Sequence, residues 1–176
     1  MTKVSHQLTG FSLGAMLSVL TGDVGYFPGV LLGSVLPDLD LLWNERGKYS
    51  GGKWYGHRGI THSLLTGLIL VGVAVLVLKL GSVSFGSFSL SFGGSDLVLR
   101  GGSSVELILP EGFILGTLAG YWLHLFLDML SPTGIPVGFS YYPRIRFRVY
   151  KTGSPQEFLV AVVVSALFMT VAVVRI

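Results

Sequence analysis

The stretch Glu111–Leu130 reads EGFILGTLAGYWLHLFLDML. Gly112–Leu127 contains no Asp, Glu, Lys or Arg. Its apolar content is continuous rather than confined to one stripe, as lipid or complete burial requires. Its length is close to the lower end of the roughly 17–25 residues that cross a bilayer. Gly112, Gly116 and Gly120 are spaced four apart, which lays a flat strip along one helix face where another backbone can touch. His124 and Asp128 are also four apart, so they share a face. Ionisable groups within an apolar helix are costly and mark function. This one stretch therefore predicts a membrane helix, a packing seam and a site.

The same pattern recurs on both sides of it. Val4–Gly22, Val24–Pro37, Ser63–Leu78 and Phe158–Val174 are likewise free of charged residues. They predict helices over about 7–22, 27–42, 63–80, 111–130 and 157–175. The first two are interrupted by Gly and Pro, which suits re-entrant or internally packed segments. Gly10 with Gly14, and Gly25, Gly29 and Gly33, repeat the four-residue spacing. Packing within the chain is the expected use of these strips, ahead of a dimer seam. Lys3 precedes an apolar run, as in a secretory signal, but no A-x-A-like cleavage site follows. A retained helix is expected there.

Composition agrees. Charged residues make up 12% of the 176, about half the roughly 25% usual in soluble domains. Mean hydropathy is +0.70. Gly accounts for 25 residues, and there is no Cys, which excludes disulfides and thiolate metal sites. No nucleic-acid-binding tail is present. Residues 81–110 differ in character. Small polar and apolar residues alternate, and 97–99, an Arg-Gly-Gly-Ser turn and 105–109 read as a β-hairpin. The expected fold is an all-α membrane protein: a single membrane-embedded domain over 1–176, a bundle of about five transmembrane or re-entrant helices, with a small extramembrane β-hairpin insert at 81–110 between the third and fourth.

Tracing these helices up and down brings the scarce polar residues together. His6 opens the first. Pro37-Asp38-Leu39-Asp40 closes the second, which is expected to end near Leu36. His57-Arg58-Gly59-Ile60-Thr61-His62-Ser63 leads into the third, with Thr61 or a neighbour as its cap. His124 and Asp128 close the fourth, and Glu157 opens the fifth. In an antiparallel bundle all five places fall on one side. Nine of the twelve Lys and Arg fall there too: Lys3, Arg46, Lys48, Lys53, Arg58, Arg144, Arg146, Arg148 and Lys151. The positive-inside rule makes that side, with the N-terminus, cytoplasmic. Trp43, Trp54, Tyr55, Tyr141, Tyr142 and Tyr150 read as interfacial belt residues.

Imidazole and carboxylate donors without thiols suit a divalent ion: Zn foremost, with Mn and Fe as alternatives. The candidate ligands are His6, Asp38, Asp40, His57, His62, His124 and Asp128, enough for one ion or two. Arg58 is a candidate for stabilising developing negative charge, and Asp40 and Glu157 for proton transfer. Glu157 also belongs to the pool of possible ligands, and it reads equally well as a metal ligand and as a helix N-terminal carboxylate. Arg144, Arg146 and Arg148 alternate as on one strand face; they suit anchoring to anionic headgroups or binding a substrate phosphate.

Taken in order, His6, Pro37-Asp38-Leu39-Asp40, the His57–Ser63 element, His124 with Asp128, Thr133-Gly134 and Tyr142-Pro143 resemble the YdjM-like family of membrane-bound, predicted metal-dependent hydrolases, some of them LexA-regulated. The resemblance runs from His6 to about Glu157 and leaves the 81–110 insert unmatched. A more distant likeness is to zinc-dependent phospholipase C, which also has a P-D element, a T-H-S element and an H-x-x-x-D pair. These resemblances imply a metal-dependent hydrolase of the inner membrane, with a phosphoester or lipid-headgroup substrate. A metal or proton transporter and a scaffold with a structural metal site are the rival readings.

Overall fold

The computed structural model describes residues 1–40, 58–80, 82–85, 88–93, 96–101, 105–140 and 142–175. His57, Arg46, Lys48, Lys53, Trp43, Trp54, Tyr55 and Tyr141 lie outside them.

Among the described residues, five α-helices form at the expected apolar runs. They are α1 (Lys3–Thr21), α2 (Tyr26–Val35), α3 (Leu64–Leu80), α4 (Glu111–Met129) and α5 (Pro155–Val174). Their ends follow local chemistry. The Thr2 hydroxyl accepts from Ser5 N to cap α1, and Gly22 ends that helix in the left-handed conformation. Ser63 Oγ accepts from Thr66 N at 3.0 Å, so Thr61's neighbour caps α3. Ser154 caps α5, with Pro155 at the first helical position.

Pro37 has no N–H to continue an α-helix, and α2 gives way to a 3-10 turn over Leu36–Leu39. The second helix is thus shorter than the expected 27–42. Its ten residues rise about 15 Å, too little to cross a bilayer alone. Among the described residues, α4 and α5 are long and apolar enough to do so.

The glycine strips are a seam inside the chain. α2 lies against α4 with backbone touching backbone. A β-carbon built on Gly33 would stand 2.0 Å from the Thr117 carbonyl oxygen, and one on Gly120 would stand 2.2 Å from that of Val30. No side chain fits there. α1 packs on α2 through Gly10 and Gly14, and on α5 along its other side.

The insert contains more than a hairpin. β1 (Ser82–Phe85), β2 (Phe88–Gly93), β3 (Asp96–Gly101) and β4 (Val105–Pro110) form an antiparallel meander in chain order. The expected hairpin is β3–β4, with Leu99 opposite Leu107. The alternating Ser and apolar residues before it supply the two further strands. After α4 the chain makes a small antiparallel pair, β5 (Ile135–Pro136) with β6 (Arg144–Ile145).

Here the structure corrects one expectation. Strand pairing stops at Ile145, and Arg148 adopts a left-handed φ of 56°. Phe147 N and Val149 N instead donate to the Met129 and Leu130 carbonyls at the end of α4. Arg144, Arg146 and Arg148 therefore do not share one strand face.

Candidate metal centre

The break at Pro37 sets up the site. A helix end leaves its last carbonyls without intrahelical partners. The Ser34 carbonyl is taken by His124 Nδ1, 2.6 Å away across the α2–α4 seam. A carbonyl can only accept, so Nδ1 carries the proton. Nε2 of the neutral ring is then a bare lone pair, and it faces Asp38 Oδ1 at 3.8 Å and Asp128 Oδ2 at 3.7 Å.

His62 arrives from the other direction. The 3-10 turn Ile60–His62 ends just before α3 and places the ring, fully buried, between carboxylates. Its Nδ1 lies 3.4 Å from Asp40 Oδ2, and its Nε2 lies 3.4 Å from Asp38 Oδ1 and 3.7 Å from Asp128 Oδ2. Burial alone would lower the pKa of this imidazole, but Asp38 and Asp40 outweigh it and hold it above the ordinary value. Asp40 also accepts from Arg58 N at 3.1 Å and from the Thr61 hydroxyl at 3.0 Å. It stands behind His62 and fixes the ring, rather than facing the other donors. Tyr121 supports the same turn from α4 by donating to the Thr61 carbonyl at 2.5 Å.

His6 completes the convergence. Its ring stacks on His124 with centroids 3.6 Å apart and planes 6° from parallel. Nε2 stands 3.4 Å from Asp128 Oδ1 but is not aligned for a hydrogen bond, and neither ring nitrogen has a hydrogen-bond partner among the described residues. Two donor sets result among the described residues: Asp38, His62 and His124, and His6, His124 and Asp128. Within each, one ligand atom per residue lies within 4.8 Å of the others. The residues and spacing fit a divalent ion. His124 belongs to both sets, and Ser34 occupies its Nδ1, so only one ion can use it.

Arg58 governs Asp128. Its guanidinium donates to Asp128 Oδ1 at 2.9 Å, to Ser131 Oγ at 3.0 Å and to the Thr133 hydroxyl. The Met1 amine also meets Oδ1. Oδ2 is left toward the two imidazoles, without a hydrogen-bond partner among the described residues. Arg58 reaches this position from a left-handed backbone conformation, φ 60°, that non-glycine residues rarely adopt.

The other candidates lie apart from the donor sets. Glu157 Oε1 accepts from Thr2 N and from the Thr2 and Ser5 hydroxyls, and Oε2 accepts from Gly153 N. Those bonds clamp α5 to the start of α1, in line with the helix N-terminal reading. Arg144 spans the carbonyls of Thr133, Gly134 and Arg58, which makes it a brace, while Arg146 and Arg148 are exposed. Sequence reasoning missed Ser34 and Ser131, and it quoted Thr133 within a motif without giving it a role. Ser34 had a signal, because Pro37 three residues later frees the carbonyls of the preceding turn.

The YdjM inner membrane protein family matches residues 1–175. The chain belongs to that family. It is 30% identical over 118 residues to proteins described as inner membrane protein YdjM in Escherichia coli (strain K12) and Shigella flexneri. In each case the aligned stretch covers 62% of this chain and 46% of the relative. The chain thus spans about half the length of the curated relatives it matches. No solved structure matches it. As a YdjM-family protein it is a membrane protein of the inner membrane.

Proposed function

We propose that this YdjM-family chain is a metal-dependent hydrolase acting on a phosphoester at the cytoplasmic face of the membrane. The observation that carries the reading is the lone pair of His124, held toward Asp38 and His62 by the Ser34 carbonyl. Catalytic zinc sites use three protein donors, commonly two His and a carboxylate, and keep a fourth position open. Asp38, His62 and His124 make up such a set. Donors about 2.0–2.2 Å from a tetrahedral ion lie about 3.3–3.6 Å from one another. The Asp38–His62 and Asp38–His124 separations of 3.4 and 3.8 Å are close to that.

A divalent ion held there supplies Lewis acidity and lowers the pKa of a water from about 15.7 toward about 7. The protein's own residues do the rest. Asp40 and Ser34 fix the imidazoles, as the outer partners of metal ligands do. Arg58 ties down Asp128 Oδ1 and leaves Oδ2 to accept a proton. The positive-inside bias supports a cytoplasmic orientation. The buried His and charged side chains among the described residues, His6, Asp40, Arg58, His62, His124, Asp128 and Glu157, all belong to this one end. An ion pathway would carry such groups along the whole crossing.

The test pairs metal analysis with a turnover screen on phospholipids and phosphoesters. The wild type should hold about one divalent ion per chain. His62→Ala should lose the ion and the activity, while Asp128→Asn should keep the ion and lose turnover. No divalent metal in the wild type, as isolated or reloaded, would sink the reading. So would a metal-replete protein inert on the whole panel.

A further inference from the structure

A cavity of about 260 Å³ opens between the start of α1 and the turn after α2. Two of its lining residues, His6 and Asp38, belong to the two donor sets, so the cavity reaches the candidate centre from outside. His6 is 2% exposed, and neither of its ring nitrogens has a hydrogen-bond partner among the described residues. The mouth carries Lys3 and, one helical turn on, Gln7, both exposed. One flank of the opening is apolar. Val35 lines the cavity and is 38% exposed. Phe11, a further turn along α1, is 50% exposed and meets Phe27 of α2 edge-on at 5.1 Å. One opening therefore gathers a cation, a polar amide, a buried imidazole and an apolar flank.

We infer that this cavity is the substrate entrance and that Lys3 binds the phosphate of an anionic phospholipid headgroup entering from the bilayer. The inference rests on the hydrolase reading and specifies its substrate class. Lys3 supplies the charge that the phosphate lacks elsewhere in the cavity, where Asp38 repels it. An ammonium on a flexible stem follows a headgroup as it moves inward. Gln7 can donate to the same oxygens. The exposed faces of Val35 and Phe11 stay in contact with acyl chains while the headgroup leaves the surface. This assignment replaces the Arg144, Arg146 and Arg148 row as the phosphate contact: Arg144 is committed to backbone carbonyls, and Arg146 and Arg148 are not among the cavity's lining residues.

Lipid retention by the metal-loaded, detergent-solubilised full chain tests it. Native mass spectrometry compares phosphatidylglycerol, phosphatidylcholine and soluble glycerol phosphate on the wild type, Lys3→Gln, Lys3→Arg and Lys151→Gln. The wild type should retain phosphatidylglycerol above phosphatidylcholine. Lys3→Gln should lower that retention about fivefold, the worth of one Lys at an anionic membrane surface. Lys3→Arg should restore it, and Lys151→Gln, an exposed cation outside the cavity, should leave it unchanged. Equal losses in Lys3→Gln and Lys151→Gln would overturn the proposal, since general surface charge would then account for binding. Competition by glycerol phosphate as strong as by the lipid would also overturn it, in favour of a soluble phosphoester. Retention is read without turnover. Lys3-dependent binding in a protein that hydrolyses nothing would refute the hydrolase reading, and with it the entrance role, and leave only a lipid-phosphate site at Lys3.

Discussion

Gly33→Ala should damage the metal centre without touching a ligand. The added methyl would lie 2.0 Å from the Thr117 carbonyl oxygen and 2.8 Å from Tyr121 N. Both are backbone atoms of α4, so no side chain can swing aside. A normal carbon–oxygen contact requires the helices to part by about 1 Å or more. Gly33 immediately precedes Ser34, whose carbonyl holds His124 Nδ1 at 2.6 Å. An opening of that size carries this bond past the usual hydrogen-bond limit of about 3.2 Å. His124 then loses the partner that sets its tautomer. Overpacking costs about 1–3 kcal/mol. Losing the outer partner of a metal ligand typically weakens binding about 10–100-fold. Metal titration of the purified variant reads the affinity, and thermal melting followed by Trp fluorescence reads the stability. Gly72→Ala is the control, because nothing lies within 4 Å of the added atom. Wild-type affinity and melting in Gly33→Ala would refute the account. Equal damage in Gly72→Ala would do the same.

Three further outcomes follow from described contacts. Arg144→Gln should lower the melting temperature clearly more than Arg146→Gln, because Arg144 alone of the two braces the Thr133, Gly134 and Arg58 carbonyls; comparative melting curves check this. Glu157→Gln should destabilise by about 1.5–3 kcal/mol, the worth of hydrogen bonds to a charged group, while metal content stays at the wild-type level. Chelation of the as-isolated protein should lower its melting temperature, and re-addition of metal should restore it by mass action at about 2.7 kcal/mol for free metal at 100 times Kd.

The helices and the convergence of His6, Asp38, His62, His124 and Asp128 were legible because both depend on coarse properties. Charge-free runs mark helices in an apolar solvent, and alternation of direction decides which ends meet. The roles within the site were less legible. Asp40 and Asp38 are two residues apart and chemically alike, yet one faces the donors and the other backs His62. That division depends on the 3-10 turn that contains Pro37 and on Arg58 and Thr61 claiming Asp40. The Arg144–Arg148 alternation misled because periodicity cannot register that the α4 end claims the next backbone groups. Glu157 was ambiguous for a similar reason. Its partners at Thr2 and Ser5 are more than 150 residues away in sequence.

The brevity of α2 has a consequence for how the protein is made. A ten-residue helix gains too little from hydrocarbon to stay in the bilayer unaided. The partner it needs, α4, begins at Glu111, after the intervening residues 36–110 have been synthesised. At about 5–20 residues per second, that delay is roughly 4–15 s. During that interval α1 is the helix already made that packs on α2, and Pro37, Asp38 and Asp40 wait at its end without His124. The centre is therefore among the last parts of the chain to assemble. A ribosome-bound nascent chain halted before Glu111 has neither His124 nor the α4 surface against which α2 comes to rest.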